Sequence, residues 1–259
     1  MQTHQLLPIH EALRQIHQPA DHESLASARR RFVFQELLVL QLALAIRRWN
    51  RIQRSRAPAL AVSAKIHSRI TRLFPFQLTA DQKLAIEEIS QDMGQEVPMN
   101  RLLQGDVGSG KTAVAEYALL LTVAHGWQAV LMAPTEILAL QHARTFERDL
   151  KDSRVRMTLL TGSLSAGDRR QRLAQIAAGE IDLVIGTHAV AQEAVEFAKL
   201  GLVIIDEQHK FGVRQRAVLK QAGLDPHYLV MTATPIPRTV AMTLFGDLDI
   251  STIRKGPHQ

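Results

Sequence analysis

Residues 105–112 read Gly-Asp-Val-Gly-Ser-Gly-Lys-Thr, and far along the chain an apolar run closes on Asp206-Glu207-Gln208-His209. The offsets of Gly105, Gly110, Lys111 and Thr112 suit the phosphates of a nucleotide. Glycines let the backbone curl until successive N–H groups and a helix N-terminus face one anion. Lys111 then adds positive charge near the β/γ-phosphates, and Thr112 offers its hydroxyl to Mg²⁺. Asp206 is the expected second partner of that Mg²⁺, mostly through water, and Glu207 the base or positioner of a hydrolytic water. The pair of motifs predicts a motor that hydrolyses Mg-ATP.

Such chemistry requires a strand to end, and a helix to begin, at the loop. Arg101-Leu102-Leu103-Gln104 is a short, largely apolar lead-in, and residues 113–124 are apolar and helix-forming. Leu202-Val203-Ile204-Ile205 suits a central strand that delivers Asp206 and Glu207 at its carboxyl end. From Pro75 onward strands alternate with helices. Strands are expected at 101–104, 129–133, 156–160, 183–186, 202–206 and 229–232. Helices are expected near 80–92, 111–124, 137–150, 168–178, 213–222 and 238–245. That order predicts an α/β fold, a parallel sheet flanked by helices with functional loops at the carboxyl ends of its strands. Residues 1–74 read as an all-helical preface: Ile9, Leu13 and Ile16 recur at helical spacing, and Ile66, Ile70 and Leu73 do so before Pro75. Between them a long helix over 24–51 is apolar nearly all round in its middle, which predicts burial between layers.

Composition narrows the class. The chain has 259 residues, is 46% hydrophobic and lacks cysteine, so it can bury a core and has neither disulfides nor thiolate zinc sites. Its histidines show no HExxH-type spacing. No basic-then-apolar leader opens it, and the apolar block at 37–46 is too short for a bilayer, so a cytoplasmic location without a membrane partner is expected. The net charge of +6 is uneven: residues 1–72 hold twelve Lys/Arg against four Asp/Glu, and the remainder nineteen against twenty-one. A basic front end suggests a polyanion partner.

Asp206-Glu207-Gln208-His209 resembles the DExH box of superfamily 2 helicases. Gln82, Ala133-Pro134-Thr135-Glu136, Thr161-Gly162-Ser163, Gly186-Thr187-His188-Ala189 and Thr232-Ala233-Thr234-Pro235 follow the order of that group's motifs. The lead-in strand with its phosphate loop, Phe211-Gly212-Val213, and the stretch from Met231 to Thr239 resemble the RecG family of ATP-dependent DNA helicases. Ser109 and Gln208 separate the chain from the related Mfd translocases, and the cysteine-rich module of PriA-type helicases is absent. The resemblance implies a RecA-like P-loop domain over 75–259, preceded by a helical linker over 1–74. Gln82 would contact adenine beside Phe76, and Gly105, Gly108, Ser109, Gly110, Lys111 and Thr112 would hold phosphates. Asp206 and Glu207, with His209, would manage metal and water. Gln208, His209, Thr232 and Thr234 would couple nucleotide state to DNA grip. Pro134, Thr135, Thr161, Gly162, Thr187 and His188 would face the DNA backbone. ATP and Mg²⁺ are the implied cofactors. Branched DNA, at a fork or Holliday junction, is the implied partner, remodelled by what is expected to be a monomer.

Plainer readings stand beside these. Thr79-Ala80-Asp81-Gln82 is also a capping box. Isolated threonines at strand ends are usually turn residues, and His188 and His209 could be ordinary hydrogen-bonded histidines. Arg238 could be a surface charge. A second lobe that supplies transition-state arginines and a junction-binding wedge are expected of the family and lie outside this chain, so the isolated chain is expected to bind ATP and hydrolyse it poorly. Two alternatives remain open: a catalytically idle nucleic-acid-binding fragment, and the matching lobe of an Mfd-like translocase.

Overall fold

The computed structural model describes residues 6–187, 190, 195–206, 224–233 and 248–254. Their elements run α1 (Ile9–His17), α2 (His22–Arg54), α3 (Ala64–Thr71), α4 (Ala80–Met93), β1 (Asn100–Gly105), α5 (Lys111–Ala124), β2 (Gln128–Ala133), α6 (Glu136–Asp149), β3 (Met157–Leu160), α7 (Ala166–Ala177), β4 (Leu183–Thr187), β5 (Leu200–Asp206), β6 (His227–Thr232) and β7 (Asp249–Ile253). The seven strands form one sheet in the order β3-β4-β2-β5-β6-β1-β7, and every neighbouring pair is parallel. The α/β parallel sheet flanked by helices, with helices ahead of it, is as expected.

All carboxyl ends therefore lie along one edge. Chain reversal from β1 to β2 crosses β6 and β5, so the loops after β1, β5 and β6 share a crevice. Strands covered on both faces need mostly apolar residues: β2 and β6 are buried at every position and β5 at all but Asp206, and their middles are apolar. Helix α5 is buried from Ala113 through Thr122, including Glu116. Polar side chains start the outer helices: the hydroxyls of Ser63, Thr79, Thr135 and Ser165 accept the N–H three residues on, opening α3, α4, α6 and α7.

Two expectations change. The sheet has a seventh strand, β7, at its edge beside β1. Asp-Ile-Ser-Thr-Ile has three polar residues in five, so no continuous apolar run announces it. Helix α2 is also not buried between layers. Val33, Leu37, Leu38, Val39, Leu42, Ile46 and Trp49 are exposed. A helix of 33 residues extends about 50 Å, whereas α1 has only 9 residues with which to cover it.

The chain divides into two compact units, one of residues 1–50 with 238–247 and one of 51–237 with 248–259. In the first, the Arg31 guanidinium is buried and donates to the Leu7 carbonyl and to Gln35. In the second, α3 and α4 pack on α5, which lies on the sheet. No described helix is long and apolar enough to cross a membrane.

Candidate functional site

The loop between β1 and α5 has the geometry of an anion cradle. Gly108 and Gly110 adopt φ of +79° and +86°, a region that disfavours side chains. A Cβ on Gly110 would also fall 2.1 Å from Gln82 Nε2, whereas the space beside Gly108 is open. Gly110 is the N-cap of α5, so the N-terminus of that helix stands at the end of the loop. The Lys111 ammonium donates to the carbonyls of Gly105 and Asp106, at 2.6 and 2.9 Å. Ser109 is buried, and its hydroxyl has no hydrogen-bond partner among the described residues. Glycines in the left-handed region, a helix N-terminus and a lysine within the loop fit a polyphosphate.

The capping-box reading of Gln82 holds. Its Oε1 accepts from Thr79 N–H at 2.9 Å while Thr79 Oγ1 accepts from Gln82 N–H, completing the capping box. Its Nε2 donates to the Ser109 carbonyl at 3.0 Å, so one amide ties α4 to the phosphate loop. Beside the loop opens a cavity of about 310 Å³, lined by Phe76, Gln82, Gly110, Thr112, Glu116 and Arg148 among others. Phe76 is 44% exposed and its ring is tilted against Phe74 at 5.6 Å. A larger cavity of about 690 Å³ between α3, α4 and α5 contains none of the predicted site residues.

Asp206 ends β5, level with Met231 of β6, which is itself level with Leu103 of β1. One strand separates β5 from β1, placing their ends about 10 Å apart at two strand spacings. The carboxylate and the phosphate loop thus meet on one edge of the sheet. Thr232 is buried, level with Gln104, between those two strand ends.

On the other side of β5, strands β2, β4 and β3 are adjacent, and Ala133 is level with Thr187. The carboxyl ends of these three strands therefore stand side by side on the same sheet edge. Thr135 is exposed, Pro134 and Thr187 are half-buried, and Gly162 is exposed. Thr161 is buried instead, its hydroxyl 3.0 Å from that of Ser163. Glu207, Gln208, His209, His188 and Thr234 lie outside the described residues.

Several contacts at these sites have no signature in the sequence. His142 of α6 bonds Asp206 Oδ2 through Nε2 at 2.7 Å, both side chains being nearly buried. Glu136 Oε1 accepts from Ser163 N–H at 3.2 Å, and Arg169 donates to the Thr161 carbonyl at 3.1 Å, so α6 and α7 both hold the loop after β3. Glu116 is buried, and burial, aided by the nearby Asp149 carboxylate and opposed by Arg148, pushes its carboxyl up to about 8. His142 and Asp206 are 64 residues apart, and only the packing of α6 over the sheet joins them.

A family model described as DEAD/DEAH box helicase matches residues 79–243. The ATP-dependent DNA helicase RecG of Synechocystis sp. is 46% identical over 256 residues, covering 99% of this chain and 31% of that protein. RecG of Bacillus subtilis is 46% identical over 255 residues, covering 98% of this chain and 37% of that protein. A solved structure of RecG bound to a three-way DNA junction superposes with a TM-score of 0.87 at 42% identity, over 99% of this chain and 34% of that one. The DUF1998 helicase MrfA, solved with DNA, shares the fold at a TM-score of 0.58 and 17% identity, over 78% of this chain and 31% of that one. The chain spans about a third of the length of the curated relatives it matches. The helicase resemblance read from the motifs is borne out.

Proposed function

The chain belongs to the DEAD/DEAH box helicase family and follows RecG over nearly its whole length, and from that premise we propose that it is the ATP-binding motor lobe of a RecG-type DNA helicase. The division into a helical linker over 1–74 and a RecA-like nucleotide-binding domain over 75–259 is part of this proposal. So is its work on branched DNA: fork reversal and branch migration of Holliday junctions, in repair and recombination, by a monomeric cytoplasmic enzyme completed by a second lobe and a wedge.

One observation carries the reading. The loop after β1 and the carboxylate after β5 stand at the same sheet edge with only β6 between them. Mg-ATP, when bound, supplies the phosphoanhydride whose cleavage drives a motor. The loop from Gly108 to Thr112 would receive its phosphates. Lys111 exchanges its two loop carbonyls for phosphate oxygens. Thr112 and Asp206 would hold the metal, with the His142 contact orienting the Asp206 carboxylate. Glu207 and His209 position water, Gln208, Thr232 and Thr234 relay nucleotide state, and Phe76 and Gln82 flank the base.

The group of Pro134, Thr135, Thr161, Gly162, Thr187 and His188 receives the sugar-phosphate backbone through hydroxyls and main-chain N–H groups, a mode with little base specificity. RecG solved on a three-way junction supports DNA as the partner.

The test is nucleotide binding by the 259-residue chain. Wild type should bind Mg-ATP, turn it over slowly for want of arginines from a second lobe, and lose binding on Lys111→Ala. Unchanged affinity in Lys111→Ala would reject the phosphate site, and brisk DNA-stimulated hydrolysis would reject the need for a second lobe.

A further inference from the structure

Glu116 sits one helical turn beyond Thr112 on α5, on the face that lines the cavity beside the phosphate loop. It is 2% exposed, and its Oε1 has no hydrogen-bond partner among the described residues. Leaving a polar group buried without a partner costs about 1–3 kcal/mol, and here no fold contact explains it. The neighbouring amide cannot take up the role fully: Gln82 Oε1 accepts from Thr79 and Nε2 donates to Ser109. The cavity, which Asp149 and Arg148 also line, therefore combines an aromatic ring, Phe76, with a buried acid whose Oε1 has no partner among the described residues. From Thr112 to Glu116 α5 rises about 6 Å, a span suited to the ribose between a phosphate and a base.

We propose that Glu116 reads the nucleobase, hydrogen bonding the exocyclic amine and adjacent ring nitrogen of adenine and so favouring adenine nucleotides over purine nucleotides that lack the amine. This rests on the nucleotide-site reading above and adds a specificity-determining residue to it. Burial and the Asp149 carboxylate raise the Glu116 carboxyl to about 8, so near neutral pH it carries its proton. A neutral carboxyl offers one donor and an acceptor, which complements the donor–acceptor pair on the adenine edge.

The experiment measures the affinities of ATP, purine riboside triphosphate and 2′-deoxy-ATP for the 259-residue chain by displacement of a fluorescent ADP analogue. In wild type, ATP should bind about tenfold tighter than the analogue lacking the amine. Glu116→Ala should bring that ratio to within about twofold, and Glu116→Gln, which keeps a donor and an acceptor, should preserve most of it. Both variants should melt at or above the wild-type temperature, because each removes an unpartnered buried carboxyl. An unchanged ATP-to-analogue ratio in Glu116→Ala overturns the proposal. So does a lower melting temperature with equal loss of every nucleotide, which marks a structural role. So does coupling to the 2′-hydroxyl alone, which moves the contact to the ribose. Nucleotide binding that is absent in wild type, or survives Lys111→Ala, overturns the site reading itself and this proposal with it.

Discussion

Glu116 and His227 are buried and titrate in opposite directions. His227 lies between two backbone groups: Nδ1 accepts from Met99 N–H at 3.0 Å, and Nε2 donates to the Pro58 carbonyl at 2.8 Å. A second proton would place Nδ1–H against Met99 N–H. Burial lowers the imidazole from 6.5 to about 4, although the Pro58 carbonyl pulls the other way. Between those values the unfolded chain binds the extra proton, so His227 makes stability rise with pH and be lost as pH falls from 6.5 towards 4. Glu116 is raised from 4.5 to about 8, so the native state holds the proton and stability falls as pH climbs through that window. Each slope is about 1.4 kcal/mol per pH unit, and the two cancel where the windows overlap. Urea midpoints of wild type should decline from pH 6.5 to 8, and Glu116→Gln should remove that decline while uncovering a rise from 4.5 to 6.5. Parallel curves for the two proteins would refute both assignments. Neither behaviour was legible in the sequence, because a glutamate in a helix and a histidine opening a strand acquire shifted acidities only from what covers them.

Between elements, Arg101 forms a polar junction that joins three of them. From β1 it donates to Asp92 and Glu88 of α4, at 2.9 and 3.2 Å, and to Ser251 of β7 at 2.9 Å, while Ser251 in turn donates to Glu88. Arg101 is itself 8% exposed, so its charge is compensated by the two carboxylates. The strand that carries the phosphate loop is thereby tied to a helix and to the sheet edge. Arg101→Met should destabilise the chain by about 2 kcal/mol, less than for a fully buried pair because both carboxylates keep some solvent. Double-mutant cycles with Asp92→Asn should show the coupling, and additive losses would contradict it. Arginine in the lead-in strand was visible in the sequence. Its partners were not, since β7 stands 150 residues away from it.

For the chain as a whole, charge is the property that bears on partners. The excess of positive charge in residues 1–72 should give DNA binding whose affinity falls linearly with the logarithm of salt concentration. Under the motor reading, Mg-ATP and Mg-ADP should shift that affinity by different factors. DNA binding indifferent to nucleotide, measured by fluorescence anisotropy over a salt series, would favour an idle nucleic-acid-binding fragment.

Local chemistry was readable directly from residue order. A glycine loop needs its lysine and threonine next to it, strands buried on both faces are apolar through their middles, and helix caps lie three residues from the groups they satisfy. Such short-range requirements leave their mark in adjacent residues, which is why the phosphate loop and six of the strands could be placed before any packing was known. Folding alone decided which strand ends share an edge, that His142 meets Asp206, that Glu116 is enclosed beside the loop, and that the apolar residues of α2 stay exposed. Those facts depend on contacts between residues remote in sequence, and the energy of such a contact belongs to the pair and its surroundings rather than to either residue.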